Sequence, residues 1–151
     1  MEIQKKEQAH IEGCSVKSDL MVSGQILKFN LISDGRGSLV SLEENSNIPF
    51  NIKRAYYLFD LGNSPRGFHS HKNLQQVMIC IAGSLKLTLE DASGRKDYLL
   101  NNASEGIFIG PSTWREMSDF KDGTVVIVIA SEVYDESDYI RDYYEFKGTL
   151  S

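Results

Sequence analysis

From Gly24 to Ala130 the chain is a succession of short β-prone runs, each closed by a turn signal, and this pattern limits the fold more than any other feature. Ser84-Leu85-Lys86-Leu87-Thr88-Leu89-Glu90 alternates apolar and polar residues, the period of a strand with one buried face. Asp91-Ala92-Ser93-Gly94 follows it as a hairpin loop. Runs from Gln25 to Ile32, Ser38 to Glu43 and Ile52 to Phe59 precede it, with Asp34-Gly35-Arg36-Gly37 as a turn between the first two. Val77 to Ile81 is a continuous apolar strand turned by Ala82-Gly83, and Asp97 to Leu100, Gly106 to Ile109 and Thr124 to Ala130 continue the pattern. Roughly eight to ten short strands without intervening helices predict an all-β sandwich or barrel rather than an alternating β/α fold. One short C-terminal helix is predicted over Ile140 to Phe146, with Ser137 or Asp138 as its cap.

The 151 residues suit one domain with a single core, expected over residues 24–151. Residues 1–23 are polar and without clear period, and read as a flexible extension or as an added edge strand. The N-terminus lacks the apolar stretch of a signal peptide, and no run approaches the ~20 apolar residues of a membrane-spanning helix, so a cytoplasmic location is expected. A formal net charge of −5 argues against non-specific nucleic-acid binding, which relies on a basic face. It leaves open a phosphate-bearing small ligand, which a few arginines can hold. Cys14 and Cys80 are the two cysteines, and in a reducing compartment no disulfide is expected between them.

The chemistry-bearing stretch is Pro65-Arg66-Gly67-Phe68-His69-Ser70-His71-Lys72, with Gln76 and Gly83 beyond it. On a strand, positions i and i+2 project to one face, so His69 and His71 enter one space. The pattern resembles the cupins, small jelly-roll β-barrels with a His-x-His motif, a glutamate a few residues on and a turn glycine. A second cupin motif places a histidine after a proline-glycine turn. Here the glutamate position holds Gln76, and Gly110-Pro111 is followed by Trp114-Arg115, with arginine where that histidine would stand. A guanidinium offers no lone pair and repels a divalent cation, so no functional metal and no cofactor are expected.

A narrower resemblance runs from about residue 26 to 146. It is carried by Gly37-Ser38-Leu39-Val40, Asn47-Ile48-Pro49-Phe50, Ile52-Lys53-Arg54-Ala55-Tyr56-Tyr57, the Arg66–Lys72 stretch, Gly110-Pro111-Ser112-Thr113-Trp114-Arg115-Glu116-Met117 and Tyr134-Asp135-Glu136-Ser137-Asp138-Tyr139-Ile140-Arg141. In that order and at that spacing they resemble the dTDP-4-oxo-6-deoxyglucose 3,4-ketoisomerases of deoxysugar biosynthesis. The resemblance implies an isomerase acting on a dTDP-linked 4-keto-6-deoxy sugar, in making aminosugars for O-antigen or S-layer glycans, and a homodimer. The reaction carries a ketone from C4 to C3 through an enediol, which needs a base of near-neutral pKa, stabilisation of an enolate oxygen and a dry cavity.

Histidine suits the base, and His71 is assigned the proton shuttle with His69 as the orienting or relaying neighbour. Arg66 and Arg115 are the expected anion partners, for the pyrophosphate or the developing enolate. Tyr57 is a candidate hydroxyl donor, although alternation allows only one of Tyr56 and Tyr57 to face inward. Arg36 is placed at the cavity rim and Gln76 as an inward hydrogen-bonder. The acidic, aromatic stretch from Tyr134 to Tyr139 reads as the approach to a capped helix packed on the barrel. The competing readings are a cupin sugar-nucleotide epimerase, a non-catalytic sugar-nucleotide-binding cupin and a metal-dependent dioxygenase.

Overall fold

The computed structural model describes residues 21–150. It contains two five-stranded antiparallel sheets and a separate hairpin. The strands are β1 (Ile26–Lys28), β2 (Leu31–Asp34), β3 (Gly37–Val40), β4 (Arg54–Leu58), β5 (Arg66–His71), β6 (Gln76–Ala82), β7 (Leu85–Asp91), β8 (Gly94–Leu100), β9 (Glu105–Ile109), β10 (Trp114–Ser118), β11 (Val125–Ala130) and β12 (Tyr139–Ile140). One sheet runs β1-β9-β6-β11-β4 and the other β12-β5-β10-β7-β8. This interleaving of early and late strands is the jelly roll that the sequence predicts.

The inward faces of the two sheets meet in one core. β7 supplies Leu85, Leu87 and Leu89, β6 supplies Met78 and Cys80, β9 supplies Ile107 and Ile109, and β11 supplies Val126 and Val128. Each fully buried aliphatic side chain contributes about 1.5–3 kcal/mol. The unbroken apolar run of β6 has a simple cause: its other face is also covered. Val77 and Ile79 point outward into a second cluster with Leu27, Phe29, Ile48, Phe50 and Phe108. Gly83, after β6, has φ +73°, and a Cβ there would sit 2.7 Å from Thr124 Cα, so the turn requires glycine.

The predicted C-terminal helix is displaced. The helix α1 spans Tyr143–Gly148, and its cap is Asp142, which accepts from Glu145 N at 2.8 Å. Asp142-Tyr143-Tyr144-Glu145 is a better start signal than Ser137 or Asp138. Tyr139 and Ile140 instead pair with His71 and Ser70 on the free edge of β5, and Glu136–Asp138 form a single 3-10 turn capped by Asp135. Phe146 buries against Trp114 and Ile140, which fastens the helix to the outer face of the second sheet. Two strand boundaries also shift: the run predicted from Gln25 to Ile32 divides into β1 and β2, and Trp114–Ser118, not identified as a strand from sequence, forms β10.

The β2–β3 hairpin pairs with no other strand of the described chain and leaves Leu31, Ile32 and Leu39 more than half or about half exposed. Cys80 is a free buried thiol, while Cys14 lies outside the described residues.

Candidate active site

Along several strands the inward positions change from apolar to polar at one end of the barrel. On β6 the series Cys80, Met78 ends in Gln76; on β10 Met117 gives way to Arg115; on β4 Leu58 gives way to Tyr56. β5 completes this end with His69 and His71, and the polar group so enclosed includes Arg115 and Gln76, each 2 % exposed, and His71 at 1 %.

A bulge places the histidines. Arg115 pairs with His69 and Glu116 with Gly67, so Phe68 is an extra residue in β5. Both Gly67 (φ +95°) and Phe68 (φ +58°) adopt left-handed backbone, and Pro65-Arg66-Gly67-Phe68 is the sequence that permits it. A Cβ on Gly67 would lie 2.8 Å from the carbonyl oxygen of Arg115, so glycine lets β5 approach β10 here. Beyond the bulge Arg66 pairs with the core residue Met117, which puts it on the same inward side of β5 while leaving it exposed.

The two imidazoles stand edge to face with ring centres 4.9 Å apart. His69 Nδ1 is 3.1 Å from Gly67 O, and a carbonyl only accepts, so Nδ1 carries the hydrogen and Nε2 the lone pair. His71 Nδ1 is 3.2 Å from Asp138 Oδ2, and its Nε2 is buried without a partner among the described residues. Burial first, then the charge of Arg115, lowers the His69 pKa to about 4 and that of His71 to about 2. Both rings are therefore neutral near pH 7.

Arg115 donates from Nη1 to Gln76 Oε1 and from Nη2 to Thr113 O at 2.9 Å, while its Nε has no partner among the described residues. Gln76 in turn donates to Tyr56 Oη at 3.0 Å. Among the described residues no carboxylate is bonded to this guanidinium, and burial depresses its pKa to about 10. A cation so enclosed among neutral acceptors is unusual, because buried charge is ordinarily paired. The donor set does not fit a divalent metal: Gln76 Oε1 is already taken by a guanidinium at the position where a cupin would hold an anionic ligand.

The stretch from Tyr134 to Arg141 crosses this end of the barrel. The Tyr139 ring packs 4.2 Å from His71 and 4.9 Å from His69, with the Arg141 guanidinium 4.2 Å from its centre. Arg141 is forked onto Glu136 at 2.7 and 2.9 Å. A cavity of about 350 Å³ opens beside His71, Asp138 and Tyr139, with Arg54 on its wall.

Of the residues singled out from sequence, the structure brings His69, His71, Arg115 and Gln76 together. It corrects two. Tyr57 is 64 % exposed and faces away from the barrel; its neighbour Tyr56 takes the inward position, because β4 alternates and Leu58, two residues on, is in the core. Arg36 does not reach the histidine cluster within the chain: it sits in the β2–β3 turn, 87 % exposed and forked onto Asp34. Asp138, Tyr139, Arg54 and Arg141 were missed as site residues. The acid-rich Tyr134–Tyr139 stretch is the signal for Asp138 and Tyr139, and it also reads as a helix approach.

Residues 23–151 match the family described as FdtA, WxcM-like, C-terminal. The chain belongs to that family. The FdtA-like chain is 48 % identical over 131 residues to the TDP-4-oxo-6-deoxy-alpha-D-glucose-3,4-oxoisomerase of Aneurinibacillus thermoaerophilus, covering 86 % of this chain and 94 % of that one. Among solved structures it is similar to a histidine-to-asparagine variant of the 3,4-ketoisomerase QdtA from Thermoanaerobacterium thermosaccharolyticum in complex with TDP-4-keto-6-deoxyglucose. That match has 43 % identity and a TM-score of 0.83, over 87 % of this chain and 96 % of that one. A 3,4-ketoisomerase from Helicobacter canadensis is 46 % identical with a TM-score of 0.81, over 83 % and 96 %. The FdtA-like chain is thus an isomerase by family and a cupin-like jelly roll by fold.

Proposed function

We propose that this protein is a sugar-nucleotide 3,4-ketoisomerase that converts dTDP-4-keto-6-deoxy-D-glucose to the 3-keto isomer. The observation that carries the reading is the pairing of two neutral histidines with an enclosed guanidinium that, among the described residues, is bonded only to neutral oxygens. The His71 Nε2 lone pair takes the C3 proton, the C3–H electron pair forms the C3–C4 double bond, and the C4 carbonyl π pair moves to O4. The charge developing on O4 is what Arg115 lacks in the resting site. His69 relays the hydroxyl proton of O3 to O4, C4 is reprotonated, and O3 becomes the new carbonyl. The net change is an isomerisation that needs no external oxidant or reductant.

Anionic substrate also restores the base. Each histidine is held low by burial and by Arg115, and negative charge beside them raises their pKa toward the working range. Arg66, exposed and opposite Met117 on β10, is assigned a phosphate oxygen of the substrate. Gln76 and Tyr56 hold Arg115 in position.

The finer assignments belong to the same reading. The working location is the cytoplasm and the pathway is deoxysugar synthesis for surface glycans. Residues 24–151 act as one domain behind the leader 1–23. The protein pairs as a homodimer through the uncovered β2–β3 hairpin and the β4 edge, where Tyr57 and Phe59 are exposed. Arg36, in the hairpin turn, contacts substrate only through such pairing.

Product identification by NMR tests the activity. A carbonyl relocated to C3 supports it. Deuterium exchange at C5 in deuterium oxide without relocation would make the protein an epimerase, and ligand binding without turnover would make it a binding module.

A further inference from the structure

Asp138 is read from sequence as a helix cap, yet it caps nothing: Asp135 and Asp142 perform that role for the two short helical turns. Its carboxylate instead collects four donors. Oδ2 accepts from His71 Nδ1 at 3.2 Å and Leu74 N at 3.2 Å, while Oδ1 accepts from Asn73 N at 2.9 Å and Asn73 Nδ2 at 3.3 Å. The side chain is 15 % exposed. The backbone on both sides is tied as well: Lys72 N donates to Asp138 O at 2.9 Å, and the next residue, Tyr139, pairs with His71 across β12–β5. The carboxylate is thus immobilised by the loop directly following the strand that bears the histidine.

We propose that Asp138 is the positioning residue of the proton shuttle, holding His71 as the Nδ1–H tautomer so that Nε2 presents its lone pair to the sugar. The inference rests on the ketoisomerase reading and deepens it. Two consequences follow from the chemistry. An acceptor at Nδ1 excludes the opposite tautomer, whose Nδ1 lone pair would face the lone pairs of the Asp138 carboxylate. When Nε2 takes a proton, the imidazolium sits near cations on three packed elements: Arg115 on β10, Arg54 on β4 and Arg141 beyond β12. Tyr139 covers the ring and carries no counter-charge. The Asp138 carboxylate is the anion in hydrogen-bonding contact with the ring, and it offsets that repulsion.

Asp138→Asn separates positioning from shape. The amide conserves size, and its oxygen can still accept from Asn73 or Leu74. Its NH₂, turned toward Nδ1, donates and forces the hydrogen of His71 onto Nε2. The expected result is a kcat lowered by about 10²–10⁴-fold, the range for a base held in the wrong tautomer, with KM and TDP affinity within about threefold of wild type. In ¹⁵N-labelled protein the His71 ring signals switch from the Nδ1–H to the Nε2–H pattern while those of His69 stay unchanged. A purely structural role for Asp138 would not move that signature. A variant with kcat within twofold of wild type, or one whose His71 keeps the Nδ1–H pattern, overturns the proposal. Should the variant fail to fold, the wild-type spectrum decides: Nδ1–H at His71 supports the assignment and Nε2–H ends it. The tautomer is read without turnover, so wild-type protein that shows the Nδ1–H pattern but never moves the carbonyl would refute the ketoisomerase reading and not this one.

Discussion

Arg115 stands directly opposite His69 on the β5–β10 ladder, and the two share the inward face of the barrel. Burial first, and then the cation beside it, keep that imidazole neutral. The same pairing makes the site a trap for negative charge, because the guanidinium is enclosed and its bonded partners are neutral oxygens.

Arg115→Met tests whether that cation serves the reaction or the fold. Removing a buried charge that is bonded only to neutral oxygens relieves its desolvation cost, which offsets the loss of the donors to Gln76 Oε1 and Thr113 O. Turnover is expected to fall by about 10²–10³-fold, the range for removing a group that stabilises a developing oxyanion. Thermal denaturation is expected to show a midpoint no lower than wild type. A midpoint that drops steeply while activity persists would make the guanidinium structural.

His71→Asn keeps a polar side chain of similar size and removes the proposed base. kcat is expected to fall by about 10²–10⁴-fold, with TDP binding by calorimetry unchanged. Turnover at the wild-type rate would remove His71 from the mechanism.

Gly67→Ala tests the bulge. The added Cβ meets the Arg115 carbonyl oxygen at 2.8 Å, on a backbone with φ +95°. Left-handed strain of this kind costs about 1–3 kcal/mol, and relief requires β5 and β10 to separate where His69 and Arg115 face each other. Chemical denaturation is expected to show the loss of stability, and activity is expected to fall further than stability. A variant as stable and active as wild type would show that the close approach is dispensable.

The histidines also predict how stability varies with pH. Both have folded pKa values below the ordinary ~6.5, at about 4 and about 2. Between those values and 6.5 the unfolded chain binds protons that the folded chain refuses. Stability is therefore full above pH ~6.5 and declines as pH falls from there toward 4, by an amount on the order of a few kcal/mol. Urea midpoints at pH 7, 6 and 5 measure the slope. Saturating TDP, by raising both pKa values, is expected to flatten it. A pH-independent midpoint in the free protein would contradict neutral burial of the pair.

Local pattern determined much of this protein. The alternation of Ser84–Glu90 and the Gly83 turn specify strand and hairpin within a few residues, because side-chain direction along a strand follows from backbone geometry alone. The same rule makes the His69–His71 pair legible from residue spacing alone. It also announces that one of Tyr56 and Tyr57 faces inward, but a period of two does not say which face is the core. That choice was made by the β4–β11 register, which sends Tyr56 and Leu58 inward. Asp138 was illegible for a stronger reason. It lies 67 residues from His71, and only closure of the chain onto the free edge of β5 brings the carboxylate to the ring. The residues of the histidine pair were written locally in the sequence; the partners that set their charge and tautomer were decided by tertiary contact, since hydrogen bonds and Coulomb forces depend on distance in space and not along the chain.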